Sequence, residues 1–229
     1  MTRDLAELPD PGALLFDLDG TLVDTVETRI EAWLKTFAEV GIQADRHHVA
    51  RLIGADGRRL AREVAAAADR EISPDRAEGI DRRAGEVYAE LNANPQPLAG
   101  ARQLLRALER SRLAWSIATS SRAEQVAASV AALGLERPPT IVDGSHVEHA
   151  KPAPDLLLRA AERLLVPAHT CWCVGDSTWD MAAAKAANMT AVGVPSGAVT
   201  GDDLAEAGAE TVATLPAIES ELRLRGLLD

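Results

Sequence analysis

Short apolar runs rich in Val, Ile and Leu alternate along most of this chain with longer amphipathic segments, the pattern of a parallel sheet wrapped by helices. Strands are expected over Ala13–Phe16, Leu113–Ala118, Thr140–Val142, Thr170–Val174, Thr190–Val194 and Glu210–Ala213. Helices are expected over Ala99–Glu109, Arg122–Leu133, Pro154–Leu164 and Thr178–Ala187. Ser121 can cap the second of these helices, while Gly134 and Asn188 can supply left-handed stops. The alternation breaks between residues 24 and 98, where helical stretches near Thr25–Val40, Gly57–Ala68 and Pro74–Asn92 follow one another without a strand. The expected division is an α/β core of residues 1–23 and 99–229 with a helical insert over 24–98. The insert's exit, Asn94-Pro95-Gln96-Pro97-Leu98, reads as a stiff linker suited to a hinge.

Composition narrows what such a chain can do. With 229 residues, 47% of them hydrophobic, it can bury a sizeable core. The net charge of −11 argues against binding nucleic acid or an anionic membrane, which needs clustered Lys and Arg; Arg58-Arg59 and Arg82-Arg83 are too small to reverse it. The first residues, MTRDLAELPDPG, lack an apolar signal-peptide core and no run approaches membrane-spanning length, so a soluble cytoplasmic protein is expected. Cys171 and Cys173 flank Trp172 on an expected strand, where both point to one face as buried thiols; a metal pair would need further cysteines that are absent. His146 and His149 likewise lack two more zinc ligands nearby and read as polar loop residues.

The chemistry gathers at the ends of the apolar runs. Asp17 and Asp19 follow Ala13–Phe16 at a spacing of i, i+2, so in extended backbone both face the space beyond the strand's carboxyl end. Two acids this close call for a bound cation or a shared proton. Thr119 ends another run and precedes Ser120-Ser121 at a helix start, whose free N–H groups suit phosphate oxygens. Lys151 stands in Lys151-Pro152-Ala153-Pro154-Asp155, where two prolines fix the backbone around it. Asp176 follows the run ending at Val174-Gly175, and Asp180 comes four residues later in a first helical turn.

FDLDGTLVDT resembles the first signature of the haloacid dehalogenase-like hydrolases, which are mostly phosphatases. Thr119, the lysine of KPAPD and the acids of GDSTWD match the remaining signatures in order. The sequence is similar to the branch that includes phosphoglycolate phosphatase and β-phosphoglucomutase, and the resemblance covers essentially the whole chain. It implies a Rossmann-like core with a helical cap over residues 24–98. It also implies that Asp17 is the nucleophile, forming an aspartyl-phosphate, and that Asp19 is the general acid and base. Thr119, Ser120 and Lys151 would hold the phosphate. Mg2+ would be held by Asp17, Asp176, Asp180 and the backbone carbonyl of Asp19, with Asp176 a direct ligand and Asp180 acting through water or by orienting neighbours. Four carboxyl groups against one lysine require a divalent cation on charge grounds as well. In the cap, Arg51 or Arg58 would contact a second anionic group, and Trp179 would line the entrance or pack beneath the cap.

The expected activity is Mg2+-dependent hydrolysis of a small phosphate monoester, of phosphoglycolate or sugar-phosphate type, with a small phosphorylated metabolite as the partner. Asp19 weighs against dehalogenase and phosphonate chemistry, which replace the second acid. A phosphosugar mutase keeps both acids, although Arg29 stands where such mutases carry a histidine. A non-catalytic sensor of a phosphorylated ligand is the remaining alternative.

Overall fold

A computed structural model describes residues 2–229. In chain order the elements are β1 (Ala13–Phe16), β2 (Val23–Asp24), α1 (Val26–Glu39), α2 (Arg46–Leu52), α3 (Gly57–Ala67), α4 (Pro74–Leu91), β3 (Gln96–Pro97), α5 (Ala101–Arg110), β4 (Ala114–Ala118), α6 (Ala123–Ala132) and β5 (Ile141–Val142). They continue with α7 (Asp155–Leu164), β6 (Cys171–Gly175), α8 (Thr178–Ala186), β7 (Thr190–Gly193), α9 (Gly201–Ala207), β8 (Thr211–Val212) and α10 (Leu215–Leu224).

Six strands form a parallel sheet in the order β5-β4-β1-β6-β7-β8. Strand β1 is buried along its whole length because helices cover both faces, which is why it reads as an unbroken apolar run. Its side chains alternate between two cores. Leu14 and Phe16 join Trp172, Val174, Leu104 and Ile218 on one face, whereas Ala13 and Leu15 join Cys171, Cys173, Leu157 and Met181 on the other. The two cysteines are free and buried, as their spacing predicts.

The chain moves outward from β1 through β4 to β5, then returns to the opposite side of β1 with β6. Loops leaving β1 and β6 therefore diverge, opening a crevice at the strands' carboxyl ends where such sheets place their sites. Above that crevice sit α1–α4, which bury a cluster of their own including Ile30, Trp33, Phe37, Val49, Leu60 and Ile80. Asp45, Asp56 and Ser73 cap α2, α3 and α4 by accepting from the backbone N–H of His48, Arg59 and Arg76.

Several local expectations are corrected. The exit linker carries a short strand where none is expected: Gln96–Pro97 pairs antiparallel with Val23–Asp24, tying together the two chain segments that enter and leave the helical unit. Ser121 does not cap α6; its hydroxyl donates to Asp19 Oδ2 at 3.0 Å, and the Arg122 N–H is capped by Gln125 Oε1. Helices α2, α9 and α10 lie outside the predicted set. Gly134 and Asn188 do take the left-handed conformation, with φ of 64° and 56°.

Candidate active site

Three parallel strands deliver the acidic floor and one of its walls. Asp17 continues β1, its N–H donating to Val174 O of β6 at 2.9 Å. Thr119 continues β4, its N–H donating to Val142 O at 3.0 Å. Asp176 follows β6, and Asp180 lies in the first turn of α8, where its Oδ2 accepts from the Ser177 N–H and hydroxyl at 3.1 and 2.5 Å. Asp17, Asp176 and Asp180 each offer an oxygen to a group whose members lie within 4.8 Å of one another, all of them buried.

Lys151 comes up from the loop before α7 and is 1% exposed. Its Nζ donates to Asp17 Oδ1 at 2.5 Å and lies 2.7 Å from Asp180 Oδ1. The second contact is one of charge alone, and Asp180 Oδ1 is a buried oxygen with no hydrogen-bond donor. Burial pushes Asp17 up to about 7, with Asp180 and Asp19 adding repulsion and Lys151 opposing. Burial also drives Asp176 well above its ordinary value, reinforced by Asp17 and Asp180. Against burial, the charges of Asp17 and Asp180 hold Lys151 above its usual range. One ammonium does not balance three carboxylates here.

These residues fit a divalent metal. The donors are hard oxygens, which Mg2+ prefers, and one of them, Asp180 Oδ1, is buried with no hydrogen bond and only the Lys151 charge beside it. Gly20 allows the close approach: it sits at φ 88°, and a Cβ there would come within 2.3 Å of Asp176 Oδ2.

Asp19 lines the same cavity as Asp17, as the spacing of the pair predicts, but has partners of its own. Its side chain turns away from the acidic group into a pocket of donors. Thr25 and Tyr88 hydroxyls donate to Oδ1 at 2.7 and 2.8 Å, and Arg29 Nη2 and the Ser121 hydroxyl donate to Oδ2 at 2.7 and 3.0 Å. Although burial pushes the other way, the charge and hydrogen bond of Arg29 hold Asp19 below the ordinary carboxylate value. The charge count changes accordingly. Asp19 has a cation of its own, so the uncompensated acids are those around Lys151.

The cavity between the carboxyl ends of the strands and the helices is lined by Ser120 of the core and by Arg29 of the helical unit, but not by Arg51, Arg58 or Trp179. Ser120 lies there with its hydroxyl donating to Gly54 O at 3.0 Å. Arg58 is paired with Asp56 at 2.7 Å and donates to Glu148 O at 3.1 Å. Arg51 contributes its carbonyl, which accepts from Trp179 Nε1 at 2.9 Å, and the Trp179 ring lies under the Arg59 guanidinium. Trp179 thus ties α8 to the helical unit. The cavity's helical wall comes instead from Trp33, Leu60 and Asp81, with Gln125 of α6 beside them.

The family model of haloacid dehalogenase-like hydrolase matches residues 14–194. The chain belongs to the haloacid dehalogenase-like hydrolases. It is 30% identical over 185 residues to the fructose-1-phosphate phosphatase YqaB of Escherichia coli, a match spanning 79% of this chain and 95% of that one. It is 31% identical over 191 residues to the β-phosphoglucomutase of Bacillus subtilis, spanning 81% and 84%. A crystal structure of a hydrolase from Pseudomonas syringae superposes with a TM-score of 0.86 at 31% identity, covering 95% of this chain and 99% of that one.

Sequence reasoning passed over the Arg29 contacts, Tyr88, Asp81 and Gln125 in this haloacid dehalogenase-like hydrolase. A signal existed for one of them. Arg29 falls on the same face of α1 as Val26, Ile30, Trp33 and Phe37, a buried stripe that a cation enters only with a partner.

Proposed function

We propose that the protein is a Mg2+-dependent phosphatase that hydrolyses a small phosphate monoester through an aspartyl-phosphate on Asp17. The observation that carries this reading is the Asp17 carboxylate held by Lys151 inside a buried group of acids, with a second, separately bonded aspartate two residues on. Asp17 needs no base to become a nucleophile, only positive charge to keep it ionised, since Lys151 alone leaves it near 7. Asp17, Asp176 and Asp180 would hold Mg2+, which when bound supplies charge against the transferring oxygens.

In the first step an Asp17 oxygen attacks phosphorus, the ester P–O bond breaks, and the leaving oxygen takes a proton from Asp19. In the second, water attacks the same phosphorus, gives its proton to Asp19, and phosphate departs from Asp17. Arg29 favours the ionised Asp19 that serves as base in the second step, and the proton taken from water there is the one that Asp19 gives to the leaving oxygen in the next turnover. Lys151 stays beside Asp17 in both steps, and Thr119 with the start of α6 faces the phosphoryl oxygens. Residues 24–98 serve as a cap that sets the leaving group, and the partner is a small phosphorylated metabolite of the cytoplasm. Among the described residues no helix is long and apolar enough to cross a membrane.

A phosphosugar mutase would use the same Asp17 step but return the phosphoryl group to a sugar hydroxyl in place of water. Phosphate release from a panel of esters, with Mg2+ and with chelator, tests the proposal. Release that depends on Mg2+ and falls at least about a thousandfold in Asp17→Asn is expected, a loss of about 4 kcal/mol in transition-state stabilisation. Isomerisation without net release would replace hydrolysis by the mutase reading.

A further inference from the structure

Resting on that phosphatase reading, we infer that the cavity selects an uncharged, polyhydroxylated leaving group, with Asp81 and Gln125 as the residues that read it, and rejects esters carrying a carboxylate. The cavity lining holds Asp17, Asp19 and Asp81, and one cation, Arg29. That guanidinium is paired with an acid of its own: Nη2 donates to Asp19 at 2.7 Å and to the Ser121 hydroxyl at 2.6 Å, and its Cζ lies 3.4 Å from the centre of the Tyr88 ring. Arg51 and Arg58 lie outside the lining. Arg122 is engaged by Glu78 at 2.5 Å and by Asp81 at 3.3 Å. A second anion on the substrate would therefore meet a carboxylate on the helical wall, while the one cation of the lining has its charge balanced by Asp19.

The polar groups left on that wall describe what fits. Asp81 is fixed against the first residue of α3, where Gly57 makes room: a Cβ there would come within 1.9 Å of Asp81 Oδ1. It is an acceptor. Gln125 Oε1 is occupied by the Arg122 N–H, and its Nε2, seated against Gly85 of α4, has no acceptor among the described residues. It is a donor. A carboxylate acceptor beside an amide donor matches hydroxyl groups, which both donate and accept. An ammonium would satisfy Asp81 but present donors to Gln125 Nε2. Trp33 and Leu60 complete the wall with apolar surface suited to the carbon face of a sugar. Sites built to hydrogen-bond a hydroxyl reject analogues lacking it far more strongly than apolar pockets reject a methylene.

The test is the ratio of kcat/KM for a hexose phosphate to kcat/KM for phosphoglycolate, in the wild type, Asp81→Asn and Gln125→Glu. A ratio cancels the fraction of each preparation that is folded. We expect a wild-type ratio above about a hundredfold, narrowed at least about tenfold in Asp81→Asn as the anionic ester gains and the neutral one loses. Gln125→Glu, which replaces the donor by an acceptor, lowers the hexose phosphate value through KM. A wild-type preference for phosphoglycolate, or ratios in both variants within about twofold of wild type, overturns the inference. Mg2+-dependent cleavage of p-nitrophenyl phosphate that is lost in Asp17→Asn upholds the phosphatase reading in either case, so the two fail separately.

Discussion

The two walls of the active-site cavity are built by different rules. On the sheet side Asp17, Thr119 and Asp176 stand at the ends of buried strands, where the ladder fixes Asp17 against Val174 and Thr119 against Val142, and Lys151 and Asp180 join them from a loop and from the first turn of α8. On the helical side the groups come from the faces of α1, α3 and α4, and their placement depends on how those helices pack. The sheet side holds buried charge with almost no exposure, as with Lys151 and Asp180, both 1% exposed. The helical side holds polar groups that are partly solvated, such as Asp81 and its partner Arg122. Chemistry common to a family can be attached to the first kind of wall, and selectivity peculiar to one chain to the second.

The contrast is sharpest in what loss of a cation would do. Lys151→Met leaves Asp17 and Asp180 facing each other in a buried site, so unfolding in urea without metal should show a loss of about 3–5 kcal/mol. Arg122→Met removes a half-exposed cation from Glu78 and Asp81, and the same measurement should give about 1 kcal/mol or less. Equal losses would break the distinction between the walls.

A smaller effect separates them by pH. Burial raises the Asp81 carboxyl to about 6, with Asp56 and Glu78 adding repulsion while Arg122 and Arg29 oppose it. The folded state then keeps a proton that the unfolded chain releases at its ordinary value of 3.8. Stability from this group is greatest below about 4 and falls as pH rises to about 6. Asp81→Asn should remove that slope, making the variant gain on the wild type by about 1–3 kcal/mol between the two ends of the window, read from melting curves at each pH. A slope unchanged in the variant would assign it elsewhere.

The smallest effect is expected where the sequence pointed to substrate contacts and the structure places none. Arg51→Ala and Arg58→Ala should leave kcat/KM within about twofold, because neither side chain lines the cavity. A tenfold loss in either would extend the helical wall to include it.

This difference also explains what was legible in advance. Strand ends announce themselves: an apolar run followed by Asp, Thr or Gly predicted β1, β4 and β6 to within a residue or so, and with them Asp17, Thr119 and Asp176. The i, i+2 spacing places Asp19 in one cavity with Asp17, but its partners are not legible from that spacing. Here the chain turns at Gly20, and the Asp19 side chain swings to Arg29 and Tyr88. Helix α2 was missed because it is one short segment, Arg46–Leu52, carrying two histidines and a single cap at Asp45. Asp81 and Gln125 were invisible for a deeper reason. One lies on α4 and the other on α6, and only the docking of the helical unit on the sheet brings them to one cavity.

Covalent capture at Asp17 tests the mechanism most directly. Protein mixed with p-nitrophenyl phosphate and Mg2+, quenched in acid within a turnover and digested, should carry a phosphoryl group on the peptide that contains Asp17. In Asp19→Asn the same adduct should persist longer, because the water that removes it has lost its base. Full-rate phosphate release with no adduct at Asp17, or with undiminished turnover in Asp17→Asn, would contradict the covalent route.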